Sequence, residues 1–416
     1  MSIGEADIQP VVTVGAPAGL RERASFVVMV TGNIFNLLWL TALSPVLAII
    51  GDHFSNRPDA EAITGFFGTG ASGPLVAQLM ITLVGFGFIV GGPLTGWLAD
   101  RIGVRPLLVG ALALYAVTGA TGLKSDDPAT LLFARFVLGI AASGIGASVF
   151  AMIAQRYQGE ARAKILGLQG AILSASGIVS LVAAGGLAEI GGWRGPFSLF
   201  LLAVPMLGLV LFSAPVASRA SAAQGAKAAA KGALLRQWPY YVMMVPMSIA
   251  SYMTAAHLSF VLAGDGMVNP LIQSVVMAAS MILNIVGSAY YARINARIGR
   301  RWVFVMILGF FAAADLLIGL IPNAVGSSIG CWVAGIAGGL MTPFFVNVIL
   351  DRTPTQVHGR AVGLMYTTGF IGNFLNPFLI TPLRTHIGNH PTFAAVGAAI
   401  AVAALVQAMT KRSPVA

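Results

Sequence analysis

Twelve stretches of this chain are apolar over about twenty residues or more, the length a helix needs to cross the hydrocarbon of a bilayer. They fall near 26–50, 75–98, 105–123, 130–154, 163–189, 195–216, 239–262, 270–292, 302–321, 328–350, 361–383 and 392–410. In lipid a free backbone N–H or C=O finds no water, so such a segment closes its hydrogen bonds on itself as an α-helix. Turn and breaker residues separate the stretches: Pro58, Gly73 and Pro74 after the first, Asp127 and Pro128 after the third, Asn269 and Pro270 after the seventh, Pro322 and Asn323 after the ninth. Composition agrees, since 57% hydrophobic and 9% charged residues leave too little charge to coat a water-soluble globule. The expected fold class is an all-α membrane protein with 12 transmembrane helices.

The position of the basic residues gives the topology. With the amino terminus inside, inner segments collect 19 lysines and arginines and outer segments hold four, Arg57, Lys124, Arg194 and Arg384. The positive-inside rule then predicts a multi-pass cell-membrane protein with both termini cytoplasmic. The formal charge of +10 is thus a topology signal, and nucleic acid is not an expected partner. Residues 1–25, with Pro10, Pro17, Arg21, Glu22 and Arg23, read as a cytoplasmic polar tail and not as a cleavable signal. Cys331, the single cysteine, forbids an internal disulfide and any multi-cysteine metal site. No cofactor or metal is expected.

A repeat runs through the chain. Asp100-Arg101-Ile102-Gly103-Val104-Arg105 returns as Ala296-Arg297-Ile298-Gly299-Arg300-Arg301, an offset of 196. At the same offset Gly139 returns as Gly335, Arg156 as Arg352, Lys164 as Arg360 and Gly167 as Gly363. Two six-helix bundles, 26–216 and 238–411, account for this, joined by a basic linker at 217–237 and followed by a short tail at 412–416. Six is even, so both halves enter the membrane from one side, as parallel repeats related by a pseudo-two-fold axis along the membrane normal.

The run Gly96-Trp97-Leu98-Ala99-Asp100-Arg101-Ile102-Gly103-Val104-Arg105 resembles the signature loop of the major facilitator superfamily. Arg135 in Arg-x-x-x-Gly resembles the fourth-span motif of its twelve-span drug:proton antiporter branch, and Gly177, Gly185 and Gly186 resemble that branch's fifth-span glycine motif. Leu181-Val182 stand where the branch has a Gly-Pro pair, a departure that bears on antiport specifically. The resemblance implies a secondary transporter working by alternating access, with spans 1, 4, 7 and 10 lining a cavity helped by 2, 5, 8 and 11. It also implies that Gly96, Asp100, Arg101, Gly103 and Arg105 form a cytoplasmic latch, with Arg156 as a partner for Asp100. The alternative for this loop is a topological anchor without a gating role.

Polar and aromatic residues on these cavity helices make a candidate substrate wall: Asn33, Asn36, Arg135, Tyr252, His257, Asn284, Thr342, Asn347, Tyr366 and Asn373. An amide or hydroxyl in lipid needs a partner, which a wet cavity or a neighbouring helix supplies. Arg135, the basic residue within a span, either meets an anionic group or is a tether bonded to carbonyls or to Asn33 and Asn36. The proton-coupling candidates are Asp315, His257 and Arg135. Asp315 is the deeply placed acid but lies on a peripheral helix, whereas His257 titrates near neutrality on a cavity helix.

Gly68 to Gly73 fits G-x-G-x-x-G, and Gly326-Ser327-Ser328-Ile329-Gly330 fits G-x-S-x-G, but neither has the strand-turn-helix setting such motifs require. The chain is not expected to be an enzyme. The expected activity is movement of a small organic solute, with proton-coupled efflux of amphipathic compounds favoured by the branch resemblance. The alternatives are a facilitator or symporter for a metabolite, anionic if Arg135 meets it, and a membrane sensor or scaffold that does not transport. The expected partners are a small-molecule solute, protons and the lipid bilayer, and the expected state is a monomer.

Overall fold

The computed structural model of the protein describes residues 19–65, 72–157, 159–213, 236–353 and 358–410. Most of the linker and the residues before 19 and after 410 lie outside these. So do the Gly68 to Ala71 part of the glycine-rich loop and the side chains of Asp100 and Arg360.

The described chain is a succession of helices. Span 1 runs over Leu20–Phe54, starting ahead of the expected 26, and includes 3₁₀ turns at Gly32–Ile34 and Ser44–Val46. Spans 2, 3 and 4 are Ser72–Ile102, Val104–Leu123 and Pro128–Arg156. Span 5 is Gly159–Gly191, and span 6 joins a 3₁₀ stretch, Gly192–Leu202, to a helix, Ala203–Phe212. Span 7 is Trp238–Gly264, and Pro270–Leu320 holds spans 8 and 9, broken at Gly299. Spans 10, 11 and 12 are Ala324–Leu350, His358–Ile387 and Asn389–Met409. The expected all-helical, two-half architecture is what the chain adopts. One membrane face carries Arg101, Arg105, Arg156, Arg300, Arg301 and Arg352 and is called the basic face below; the other is the far face.

The backbone repeats at the interval seen in the sequence. Gly103 and Gly299 both take positive φ, 89° and 78°, at the turns between spans 2 and 3 and between spans 8 and 9. Gly192 and Gly388, again 196 apart, take 58° and 91° where spans 6 and 12 begin. Such φ values strain any residue with a Cβ, which explains glycine at each turn. Caps repeat as well. Asp127 accepts from the Thr130 amide at 2.8 Å to open span 4, and Asn323 accepts from the Gly326 amide at 2.9 Å to open span 10. The Thr130 hydroxyl and amide hold the Asp127 carboxyl below the usual carboxylate range.

Packing follows the same symmetry. A Cβ on Gly139 would collide with the Val84 carbonyl and lie 2.9 Å from Gly87 Cα; one on Gly335 would collide with the Ser280 carbonyl and lie 2.7 Å from the Ser280 hydroxyl. Span 4 therefore lies on span 2 as span 10 lies on span 8. Lipid tails are as apolar as leucine, so this close van der Waals approach does the work that hydrophobic burial does in water. Aromatic side chains fill what remains, with Phe35, Tyr115, Phe197 and Phe200 in the first half and Phe304, Phe344 and Phe345 in the second.

Gly139→Val should lower the thermal midpoint of the purified protein by the equivalent of about 1–3 kcal/mol. Gly110→Ala, where an added methyl meets nothing within 4 Å, should leave the midpoint unchanged.

Candidate functional site

A chamber of about 330 Å³ lies near mid-membrane between the two halves. Span 1 gives it Leu37, Leu40, Thr41 and Ser44; span 5 gives Leu173, Ser174 and Leu181; spans 7, 8 and 10 complete it. Its polar groups are small and neutral: the hydroxyls of Thr41, Ser44, Ser174, Ser251, Thr254 and Ser280, and the Asn284 amide. Several already have partners. Thr41 and Ser180 share a hydrogen bond of 2.5 Å, and Ser280 donates to the Cys331 carbonyl at 2.8 Å. The Thr254 hydroxyl is buried without a protein partner, which leaves one donor and acceptor free for a guest.

Toward the far face the space between the halves is closed by a chain of directed hydrogen bonds. The Thr381 hydroxyl donates to the Gln78 side-chain oxygen. The Gln78 amide donates to His257 Nδ1 at 3.0 Å, His257 Nε2 donates to Asn376 Oδ1 at 2.8 Å, and the Asn376 amide donates to the Ile249 carbonyl at 3.0 Å. These assignments fix the ring as the tautomer with its proton on Nε2. Gln78 belongs to the first half and the other members to the second, and Gln78, His257, Asn376 and Thr381 are all buried. Ser259 receives the Ala48 amide at 3.2 Å, and the Phe86 and Phe374 rings stack at 5.0 Å, so the seal runs from mid-membrane outward. On the other flank Gly177, Leu181, Gly185 and Glu189, one turn apart each, turn a single face of span 5 toward span 8. Gly185 admits Leu271 so closely that a Cβ would lie 2.7 Å from its Cα, and Glu189 accepts from Asn269 at 2.6 Å. Gly186 has nothing near it.

The ten expected wall residues divide. Asn284 lines the chamber. His257 and Tyr252 lie in the closed region of span 7, buried among residues of both halves. Asn36 donates to Asn33 at 2.6 Å, Asn33 to Gln169 at 3.3 Å, and Gln169 to the Met29 carbonyl at 2.7 Å, which ties span 1 to span 5. Thr342, Asn347 and Tyr366 are exposed in the basic-face halves of spans 10 and 11, and Asn373 is half-buried; none of the four is in the chamber wall.

Arg135 lies away from the chamber, fully buried. It donates to the Gly119 carbonyl at 3.0 Å with Phe197 and Phe200 each 4.6 Å from its guanidinium carbon. Asp315 is also buried away from the chamber, where span 12 crosses span 9: a Cβ on Gly397 would lie 3.0 Å from Asp315 Cβ. Of the latch loop, Arg101 covers the Trp97 ring at 4.1 Å, Arg105 donates to the Leu211 carbonyl at 2.7 Å, and Arg156 pairs with Glu22 at 3.4 Å. Gly96 has open space about it, and Gly103 makes the turn. These bonds stay within the first half.

Sequence reasoning missed Gln78, Gln169, Asn376, Thr381 and the chamber hydroxyls. Gln78 and Gln169 carried the signal used for Asn33, an amide inside an apolar run.

The model of the Major Facilitator Superfamily matches residues 29–264 and 240–415. The sialic acid transporter NanX of Escherichia coli K12 is 24% identical over 332 residues, 75% of this chain and 80% of its own. The solved D-xylose-proton symporter superposes with a TM-score of 0.72 at 16% identity, covering 94% of this chain and 98% of that one. The human organic anion transporter MFSD10 superposes with a TM-score of 0.63 at 17% identity, covering 94% and 100%.

With Arg135 stacked between two phenylalanines, Arg135→Met should lower the unfolding midpoint by roughly 2 kcal/mol or more while leaving the KM for transported solute unchanged. A raised KM at unaltered stability would instead put the guanidinium on the solute path.

Proposed function

Since the chain belongs to the major facilitator superfamily, a family of membrane secondary transporters, we propose that it moves a small, uncharged, amphipathic organic solute by alternating access, and that this structure is the inward-facing state. The basic face is then cytoplasmic. The observation that carries the reading is the pairing of a mid-membrane chamber with a far-side seal made of hydrogen bonds between halves. The polar members of such a seal can part at little cost, because water satisfies each group once the halves separate.

The chamber wall supports the substrate class. Leucine, methionine and isoleucine side chains alternate with hydroxyls and one amide, and no ionised side chain is among its described lining residues. An anionic solute would leave its charge unmatched in a low-dielectric space. Arg135, the residue on which an anionic reading rests, is walled off by Phe197 and Phe200.

Resemblance to the antiporter branch favours export in exchange for protons. Symport or facilitated movement of a metabolite is the second reading, favoured by Leu181, which is buried at the span 5 joint in place of the branch's glycine. Of the three proton-coupling candidates, His257 supports a coupling role best. Arg135 and Asp315 each lie within one half, whereas His257 bonds across the joint. It also stands one helical turn from Thr254, so solute site and lock share a helix face.

Counterflow in proteoliposomes tests the reading: labelled solute should exchange for unlabelled without any net gradient, and a scaffold would give no exchange. Thr254→Val should raise KM roughly fivefold through loss of one hydrogen bond.

Wild-type exchange should depend on pH, because a proton on His257 Nδ1 displaces the Gln78 amide that now donates to it. His257→Gln should flatten that profile and Asp315→Asn should preserve it. The opposite pattern would move coupling to span 9.

A further inference from the structure

The second half is hollow at a place where, among the described residues, its twin is filled. Spans 9 and 12 meet tightly toward the far face, where a Cβ on Gly397 would lie 2.8 Å from the Leu316 amide nitrogen and one on Gly319 would lie 2.6 Å from Ala394 Cα. Toward the basic face a groove of about 450 Å³ separates them, floored by Met247 and Ala250 of span 7 and walled by Phe304, Phe311 and Ala403. The repeat explains why. At an offset of 196 the first half has Phe200 where the second has Val396, and Leu207 where it has Ala403. Phe200 is fully buried and Leu207 packs against the first half's core, so that half is filled where the second is hollow.

The groove is apolar along its length except for Gln407 at the basic-face end. Its rim, at Pro246, Ala399 and Ala403, is exposed on the outer surface of the helix bundle, which faces acyl chains in a bilayer. Arg301 stands at the basic-face mouth, one turn before Phe304. It donates through Nη2 to the Ala408 carbonyl at 2.7 Å. Its counterpart Arg105 spends the same nitrogen on three carbonyls, of Leu211, Ser213 and Val210, at 2.7, 3.2 and 3.4 Å. An apolar groove open to the outer surface of the bundle, ending beside a guanidinium on the basic face, complements an anionic phospholipid.

We propose that this groove is a binding site for one anionic phospholipid, its acyl chain lying between spans 9 and 12 on span 7 and its phosphate at Arg301. The site is distinct from the chamber, and the proposal does not depend on which solute is carried.

Native mass spectrometry of the full-length protein, taken from mixed phosphatidylglycerol and phosphatidylethanolamine bilayers, tests it. Wild type should retain one lipid, with phosphatidylglycerol preferred roughly fivefold. Ala403→Trp, placed on the exposed rim, should lose that lipid, and Ala399→Phe provides a second fill should the first fail to fold. Arg301→Gln should keep a bound lipid but lose the headgroup preference. Equal retention by wild type and by a folded filled variant, or no preference between the two lipids in wild type, would overturn the proposal.

Discussion

In lipid, helices gain nothing from hiding apolar surface, so what holds this protein together is the closeness with which its backbones approach. Gly139 against Val84 and Gly335 against Ser280 set that closeness within each half. Between the halves the seam is different in kind. Along spans 5 and 8 it is narrow and built on glycines; along spans 2, 7 and 11 it joins a polar chain through Gln78 and His257 to aromatic contacts such as the Phe86–Phe374 stack. Each half is therefore a stiff body, and the joint between them is the softer element. That ordering of stiffness is what a rocking motion of two bundles requires.

Much of this architecture was legible in the sequence because its signals are one-dimensional. Hydropathy marks spans, and a fixed offset of 196 marks a repeat whether or not the fold is known. The same offset goes further than the motif that revealed it, pairing Gly192 with Gly388 in backbone conformation and Asp127 with Asn323 as helix caps. The chamber was not legible. Spans apolar on every face give no periodicity from which to phase a helix, so Asn347 and Asn284 on neighbouring helices looked alike. One is bonded to its own Pro343 carbonyl and exposed; the other is in the wall. Serine and threonine hydroxyls, which make most of the polar wall, also bond routinely to the preceding turn, and nothing local distinguishes Thr254 from Thr41.

Arg135 and Asp315 show why burial alone does not locate a site; Arg384, also buried within span 11, lies over the Phe260 ring at 4.1 Å. Arg135 donates to the carbonyl of Gly119. The residue 196 positions after Gly119 is Asp315, and the residue 196 positions after Arg135 is Cys331. The two charges thus occupy pseudo-equivalent corners of opposite halves, at the crossings of spans 3 and 6 and of spans 9 and 12, and neither corner touches the space between the halves. A charge in a membrane helix must be compensated. For Arg135 the partners are a carbonyl and two aromatic faces, while its Nε and Nη1 are buried without a hydrogen-bond partner among the described residues.

The strength of the far-side seal also follows from its composition. Three hydrogen bonds of the seal cross between the halves, Thr381 to Gln78, Gln78 to His257 and the Ala48 amide to Ser259, and at about 0.5–1.5 kcal/mol each net of water they amount to a few kcal/mol. An apolar plug burying a few hundred square ångströms would resist opening by a comparable or larger margin at about 25 cal/mol per Å², and water could not take its place afterwards. The polar seal is selective in a way the plug is not. It holds only while Gln78 finds an unprotonated Nδ1 on His257, and it shares a helix with Thr254 one turn away. Under the proposed mechanism, a guest that reorients span 7 by one hydrogen bond, or a proton that occupies Nδ1, would act on a barrier of its own magnitude. Opening is then governed by differential binding to the two states.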